Sequence, residues 1–130
     1  MIIGLGVDVI DVARAQRMLD EFGDRILARV CTAAEADYVR AAANGAQRFA
    51  ARLAAKEAAF KALAGTPAAR AIGWREIEVV AVDGGPPQLA VHGRARDRAA
   101  ELGVQSILVS LSHSDASAVA VVLVCGAPVP

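Results

Sequence analysis

An α+β domain is what this sequence predicts, and three observations predict it. Strand-like alternation marks both ends of the chain, one long helical run occupies the middle, and glycine and proline turns punctuate the rest. Ile2 to Ile10 alternate, with Ile3, Leu5, Val7 and Val9 on one face, and read as a strand built for burial. A helix from about Val12 to Phe22 follows and stops near Gly23. Thr32, with Glu35 three residues later, forms a capping box that opens a short helix ending near Asn44 and Gly45. The longest helical signal spans about Gln47 to Leu63, with Gly65 and Pro67 as its stop. Ile77 to Val82 reads as a strand, Asp83 to Pro87 as a turn, and Leu89 to Val91 as the returning arm of a hairpin. A helix from Gly93 to Leu102 precedes two further strands, Ile107 to Leu111 and Val119 to Val124. The remaining CGAPVP is expected to fray.

A chain of 130 residues has room for one domain and one core, and no repeat or linker divides it, so 1–130 is read as a single domain. Lys and Arg balance Asp and Glu, which argues against a nucleic-acid or membrane binder by charge. Cys31 and Cys125 stand far apart with no zinc spacing, as suits a reducing compartment. The opening MIIGLGVDVI is apolar but lacks a basic leader and carries an aspartate, so it is not read as a signal peptide. No stretch is long enough to span a bilayer as a helix. A cytoplasmic enzyme or binding domain is expected.

Three stretches stand out. The second face of the first strand carries Gly4, Gly6 and Asp8, and glycine weakens a strand unless something must approach its backbone. A ligand or metal near Asp8 is one reading, and a hydrated aspartate on an edge strand is the other. Arg14, one turn into the next helix, is by default a surface arginine. On the long helix, Phe49, Leu53 and Phe60 fall within roughly one 40° sector at about 100° per residue and form its core stripe. Glu57 sits at the edge of that stripe, and Arg48, Arg52, Lys56 and Lys61 make this helix net positive on a neutral chain. Such a concentration of cations suits an anionic ligand, guanidinium groups matching phosphate especially well. An ordinary Glu57–Lys61 pair on a solvated face, worth a few tenths of a kcal/mol, is the alternative. Finally, His113 between Ser112 and Ser114 at a strand end is either a phosphate-binding corner or a tight turn. His92 has no evident partner and reads as structural or exposed.

Taken together, the opening GLGVD strand, the central RLAAKEAAFKA helix and the late SLSHS corner resemble holo-acyl-carrier-protein synthase, the short bacterial class of 4′-phosphopantetheinyl transferases. The resemblance runs from Ile3 to about Val124 and implies that family's fold, a small antiparallel sheet packed with a long central helix. It implies transfer of the 4′-phosphopantetheine group of coenzyme A to a serine of apo-acyl carrier protein. The products are holo-acyl carrier protein and adenosine 3′,5′-bisphosphate, in support of fatty acid biosynthesis. By the same resemblance Asp8 and Glu57 are metal ligands for magnesium, and Glu57 and Lys61 are catalytic. Lys61 meets the pyrophosphate, Arg52 and His113 line the coenzyme's phosphates, and Arg14 docks the acidic carrier protein. Family members are typically homotrimers with a site at each protomer interface. Glu57 and a metal-bound water both stay open as the base for the carrier serine.

Some positions depart from the family. Its common Gly-Thr-Gly after the helix is here Leu63-Ala64-Gly65-Thr66-Pro67, and its Gly-Lys-Pro turn is Gly85-Pro86-Pro87. Arg48 stands where an aromatic residue or histidine is usual, and Leu53 where phenylalanine is common. Two rivals from other classes stand beside it. One is a metal-dependent phosphohydrolase with no protein acceptor, and the other a non-catalytic coenzyme A or nucleotide-binding module.

Overall fold

The computed structural model describes residues 1–63 and 71–129. In chain order its elements are β1 (Ile2–Asp11), α1 (Val12–Phe22), α2 (Asp24–Val30), α3 (Ala33–Arg40) and α4 (Gly45–Ala62). A 3₁₀ turn at Trp74–Glu76 leads into β2 (Ile77–Val80) and β3 (Gln88–Val91), then α5 (Gly93–Glu101), β4 (Val104–His113) and β5 (Ser117–Gly126). The α+β class is borne out. One sheet is antiparallel in the order β1-β5-β4, and β2 and β3 form a separate antiparallel hairpin.

Local chemistry explains most of the boundaries. Gly23 ends α1 in a left-handed conformation, φ 54°, returning its N–H to the Leu19 carbonyl. Thr32 caps α3 with the reciprocal box expected: its side chain accepts from the Glu35 N–H while Glu35 Oε1 accepts from the Thr32 N–H. The helix α2 has no counterpart in the sequence reading, and α3 stops at Arg40, earlier than the Asn44–Gly45 signal. Cys125 and Gly126, expected to fray, belong to β5, where the Gly126 N–H donates to the Met1 carbonyl. The proposed helix stop at Gly65 and Pro67 lies outside the described residues.

The central event is α4 lying across the sheet, and β1 meets it with its glycine face. A Cβ on Gly6 would sit 1.8 Å from the Ala58 carbonyl oxygen, and one on Gly4 2.2 Å from that of Ala62. What approaches the strand so closely is therefore the helix backbone. Ala54, Ala55, Ala58 and Ala59 of α4, facing Ala118 and Ala120 of β5, keep that contact thin. This inverts the sequence expectation for β1. Leu5, Val7 and Val9, the face read as built for burial, are 61, 52 and 56% exposed. In register they continue onto Leu123, Val121 and Val119 of β5, with Leu108 of β4 beside Leu123. The outer face of the sheet is thus apolar across β1 and β5, while β4 adds Leu108 followed by Ser110 and Ser112. No described helix is long and apolar enough to cross a membrane.

Candidate active site

Asp8 shares the glycine face of β1 and so points toward α4. Its Oδ1 accepts from Lys61 Nζ at 3.1 Å, and Lys61 also donates to the Val7 carbonyl at 2.9 Å. The Glu57–Lys61 pair envisaged as the alternative is replaced by this contact. The pair is half-open to solvent on the lysine side and is worth under about 1 kcal/mol. The other carboxylate oxygen, Asp8 Oδ2, is buried and has no hydrogen-bond partner. A buried, unsatisfied carboxylate oxygen is costly, and a cation is the ligand that would satisfy it.

Glu57 precedes Ala58, whose carbonyl meets Gly6, so it lies where α4 crosses β1. It lines a cavity of about 210 Å³ with Arg14 and Arg29, walled by apolar side chains including Ile10, Met18, Leu53 and Trp74. Arg14 is thus placed beside Glu57, on the rim reached from α1. Two carboxylates, one with an orphan oxygen, fit magnesium, which keeps water and phosphate oxygens in its remaining positions. Among the described residues no group of three or more His, Cys, Asp or Glu that could hold a metal occurs.

On the other side of α4 a second cavity, about 330 Å³, is lined by Arg48, Arg52, Tyr38 and His113. Both guanidinium groups lie against one ring: Arg48 Cζ is 3.8 Å and Arg52 Cζ 4.1 Å from the Tyr38 centroid. Arg48 is held there by donating to the Tyr38 carbonyl at 2.7 Å. Arg52 is buried, its Nε has no partner, and burial pulls its pKa below the ordinary arginine value. It remains a cation, because no protein environment deprotonates arginine at neutral pH. Among the described residues no acidic side chain lines this cavity, and the nearby Asp115 is bonded to Gln47. Two guanidiniums and a histidine, with no acid lining the cavity among the described residues, make it suited to an anion.

The sequence reading is corrected at several points. Lys56, counted among the cations facing an anionic ligand, is wholly buried and bonded to Glu35 at 2.8 Å. Ser114 serves the tight turn: its Oγ accepts from the Ala116 and Ser117 N–H groups. His92 has a partner, with Nε2 3.0 Å from Glu78 Oε1. Tyr38 and Glu35 were missed as participants. Their only sequence signal was the capping box, which names Glu35 for a local role and Tyr38 for none. Arg52 and Glu57 are about 140° apart around the helix at 100° per residue, which is why one chain sends them into different cavities.

Comparison with known proteins carries this geometry to a class. Residues 4–122 match the family model of the 4′-phosphopantetheinyl transferase superfamily. The holo-[acyl-carrier-protein] synthase of Koribacter versatilis is 43% identical over 95% of this chain and 98% of its own. That of Anaeromyxobacter dehalogenans is 46% identical over 97% and 98%. Among solved structures, the Bacillus anthracis synthase in complex with CoA (3′,5′-ADP) superposes with a TM-score of 0.77 at 30% identity, covering 98% of this chain and 99% of its own. The Neisseria meningitidis synthase gives 0.83 at 26% identity, covering 95% and 98%. The chain belongs to the holo-[acyl-carrier-protein] synthases of that superfamily.

Proposed function

We propose that this protein transfers 4′-phosphopantetheine from coenzyme A to a serine hydroxyl of an apo-acyl carrier protein, releasing adenosine 3′,5′-bisphosphate, as part of fatty acid synthesis in the cytoplasm. The observation that carries this reading is the pairing of an orphan carboxylate oxygen at Asp8 with an orphan guanidinium nitrogen at Arg52 in a chain of this family. A coenzyme bearing phosphates and needing a divalent cation supplies what both atoms lack. Asp8 and Glu57 would hold magnesium, which neutralises charge on the pyrophosphate during phosphoryl transfer. Lys61, reaching past β1, stabilises the departing phosphate. Arg52 and His113 receive coenzyme phosphate in the second cavity, and Arg14 meets the acidic carrier beside Glu57. The serine oxygen forms a bond to the β-phosphorus as the bond to the bridging oxygen breaks. The serine proton passes to a base on the Glu57 side, and the electron pair leaves with the adenosine bisphosphate.

The chain acts as one domain, 1–130, and assembles as a homotrimer with its active sites between protomers. Two observations support this. Leu5, Val7, Val9 and Leu108 are exposed together on one face of the sheet, as apolar patches at protein–protein interfaces are. The carboxylate and arginine groups also leave α4 in different directions, so a neighbour's arginine cavity can complete a site begun at Asp8. Intact-mass measurement tests the activity: an apo carrier protein incubated with the chain, magnesium and coenzyme A gains one phosphopantetheine. An unchanged mass overturns it. Mixed oligomers of Asp8→Ala and His113→Ala chains test the interface. Recovered activity places the two residues in one pocket from different protomers, and none places them in the same chain.

A further inference from the structure

Lys56 is a fully buried ammonium on a helix whose other buried residues are alanine, leucine, phenylalanine and Arg52. All three of its donors are used: to Glu35 Oε1 at 2.8 Å, to the Trp74 carbonyl at 2.8 Å and to the Ile77 carbonyl. Glu35 is likewise fully engaged, its Oε1 accepting from the Thr32 N–H and its Oε2 from the Val79 N–H at 3.0 Å. A buried ion pair of this kind is seldom more stabilising than apolar packing of the same volume. What it supplies that a methionine would not is direction, because its three bonds tie α4 both to α3 and to the Trp74–Ile77 segment.

Those segments are walls of the two cavities. Trp74 lines the Glu57 cavity, and its ring packs edge-on against Phe60 of α4, centroids 5.2 Å apart. Ile77 and Val79 belong to β2, whose continuation, Ala81 and Val82, lines the arginine cavity. One ammonium therefore sets a wall of each cavity relative to the helix that carries Arg52, Glu57 and Lys61. We propose that the Glu35–Lys56 pair is a positioning device that holds both halves of the active site in register, an inference that rests on the functional reading above.

The test compares Lys56→Met, Glu35→Gln and the double variant, using steady-state phosphopantetheine transfer and fluorescence of Trp74, the chain's sole tryptophan. Lys56→Met alone leaves a buried carboxylate unpaired and lowers Tm. The double variant removes the charge pair while the amide introduced by Glu35→Gln can still accept from a backbone N–H, so Tm recovers. The bonds to the Trp74 and Ile77 carbonyls stay lost. The expected result is a folded double variant with red-shifted, more readily quenched Trp74 emission and kcat/KM reduced about tenfold or more, since small misplacements away from the chemistry are amplified. Glu35→Gln alone leaves the Lys56 ammonium buried without its counter-charge and lowers Tm, but it keeps both carbonyl bonds, so Trp74 emission should stay nearer wild type and kcat/KM should fall less than in the double variant. A folded double variant with wild-type kinetics overturns the proposal, whatever its emission. So does a Glu35→Gln variant that loses activity with Trp74 unmoved, a result open even where the double variant does not fold. A wild-type chain that never modifies the carrier sinks instead the functional reading.

Discussion

The two cavities flanking α4 differ in charge, one setting Glu57 among Arg14 and Arg29 and the other lined by Arg48 and Arg52 with no acid among the described residues, and each lies by an unsatisfied atom. One holds Glu57, where α4 crosses the strand whose Asp8 Oδ2 is buried without a partner; the other holds Arg52, whose Nε is buried without a partner. Among the described residues these are the only two buried side-chain atoms so left. Between them lies the Glu35–Lys56 pair, just as buried and wholly satisfied. The difference separates architecture from chemistry. Folding pairs a buried charge where structure is the purpose, and leaves it open where a ligand is to arrive.

Breaking the carboxylate side should have the largest effect. Asp8→Ala and Glu57→Ala are each expected to lower kcat by about 10²- to 10³-fold while leaving Tm near wild type. The double variant should be little worse, since either loss disables one unit. Full activity in either single variant would sink the assignment. Breaking the arginine side should act on binding. Arg52→Ala is expected to raise KM for coenzyme A about 10- to 100-fold with a smaller change in kcat, the cost of a lost charge-assisted contact. Titration calorimetry with coenzyme A and no carrier checks this directly; unaltered affinity would remove Arg52 from the site.

Arg14→Glu sharpens the division further, because Arg14 opens onto the carboxylate cavity from α1. KM for the carrier should rise about tenfold with KM for coenzyme A nearly constant, and the salt dependence of the carrier step should flatten. Equal effects on both substrates would place Arg14 in the coenzyme pocket or in the fold. The smallest effect concerns Cys31 at the foot of the satisfied pair. Burial, and then Glu35, push its thiol up to about 11. It therefore stays protonated at neutral pH, and the thiolate that alkylates is scarce until pH approaches that value. Iodoacetamide at pH 8 should leave Cys31 unmodified in the folded chain, as peptide mass mapping would show.

Local signals were legible. Thr32 and Glu35 announce a capping box that α3 forms, and Gly23 announces the end that α1 takes. The Gln47–Leu63 run announces a helix found at Gly45–Ala62. Misreadings arose where a residue's partner is distant along the chain. Lys56 looked like one more cation because Glu35 is 21 residues away, and Lys61 looked like Glu57's partner because Asp8 is 53 residues away. The face of β1 was inverted for the same reason. Alternation names two faces without saying which one a helix will cover, and Ala58 and Ala62 decide it by bringing backbone against glycine.

By itself, then, the sequence determined the element types apart from α2, the Thr32 and Gly23 caps, the family and the residue kinds that bear charge near phosphate, because these rest on periodicity and on short-range spacing. Only the tertiary structure decided which charges are left open. It joined Lys56 to Glu35, turned Lys61 to Asp8, stacked Arg48 and Arg52 on Tyr38, and left Asp8 Oδ2 and Arg52 Nε without partners. The physical reason is that pairing is a property of distance in space, and helix–sheet packing sets those distances between residues that no local pattern connects.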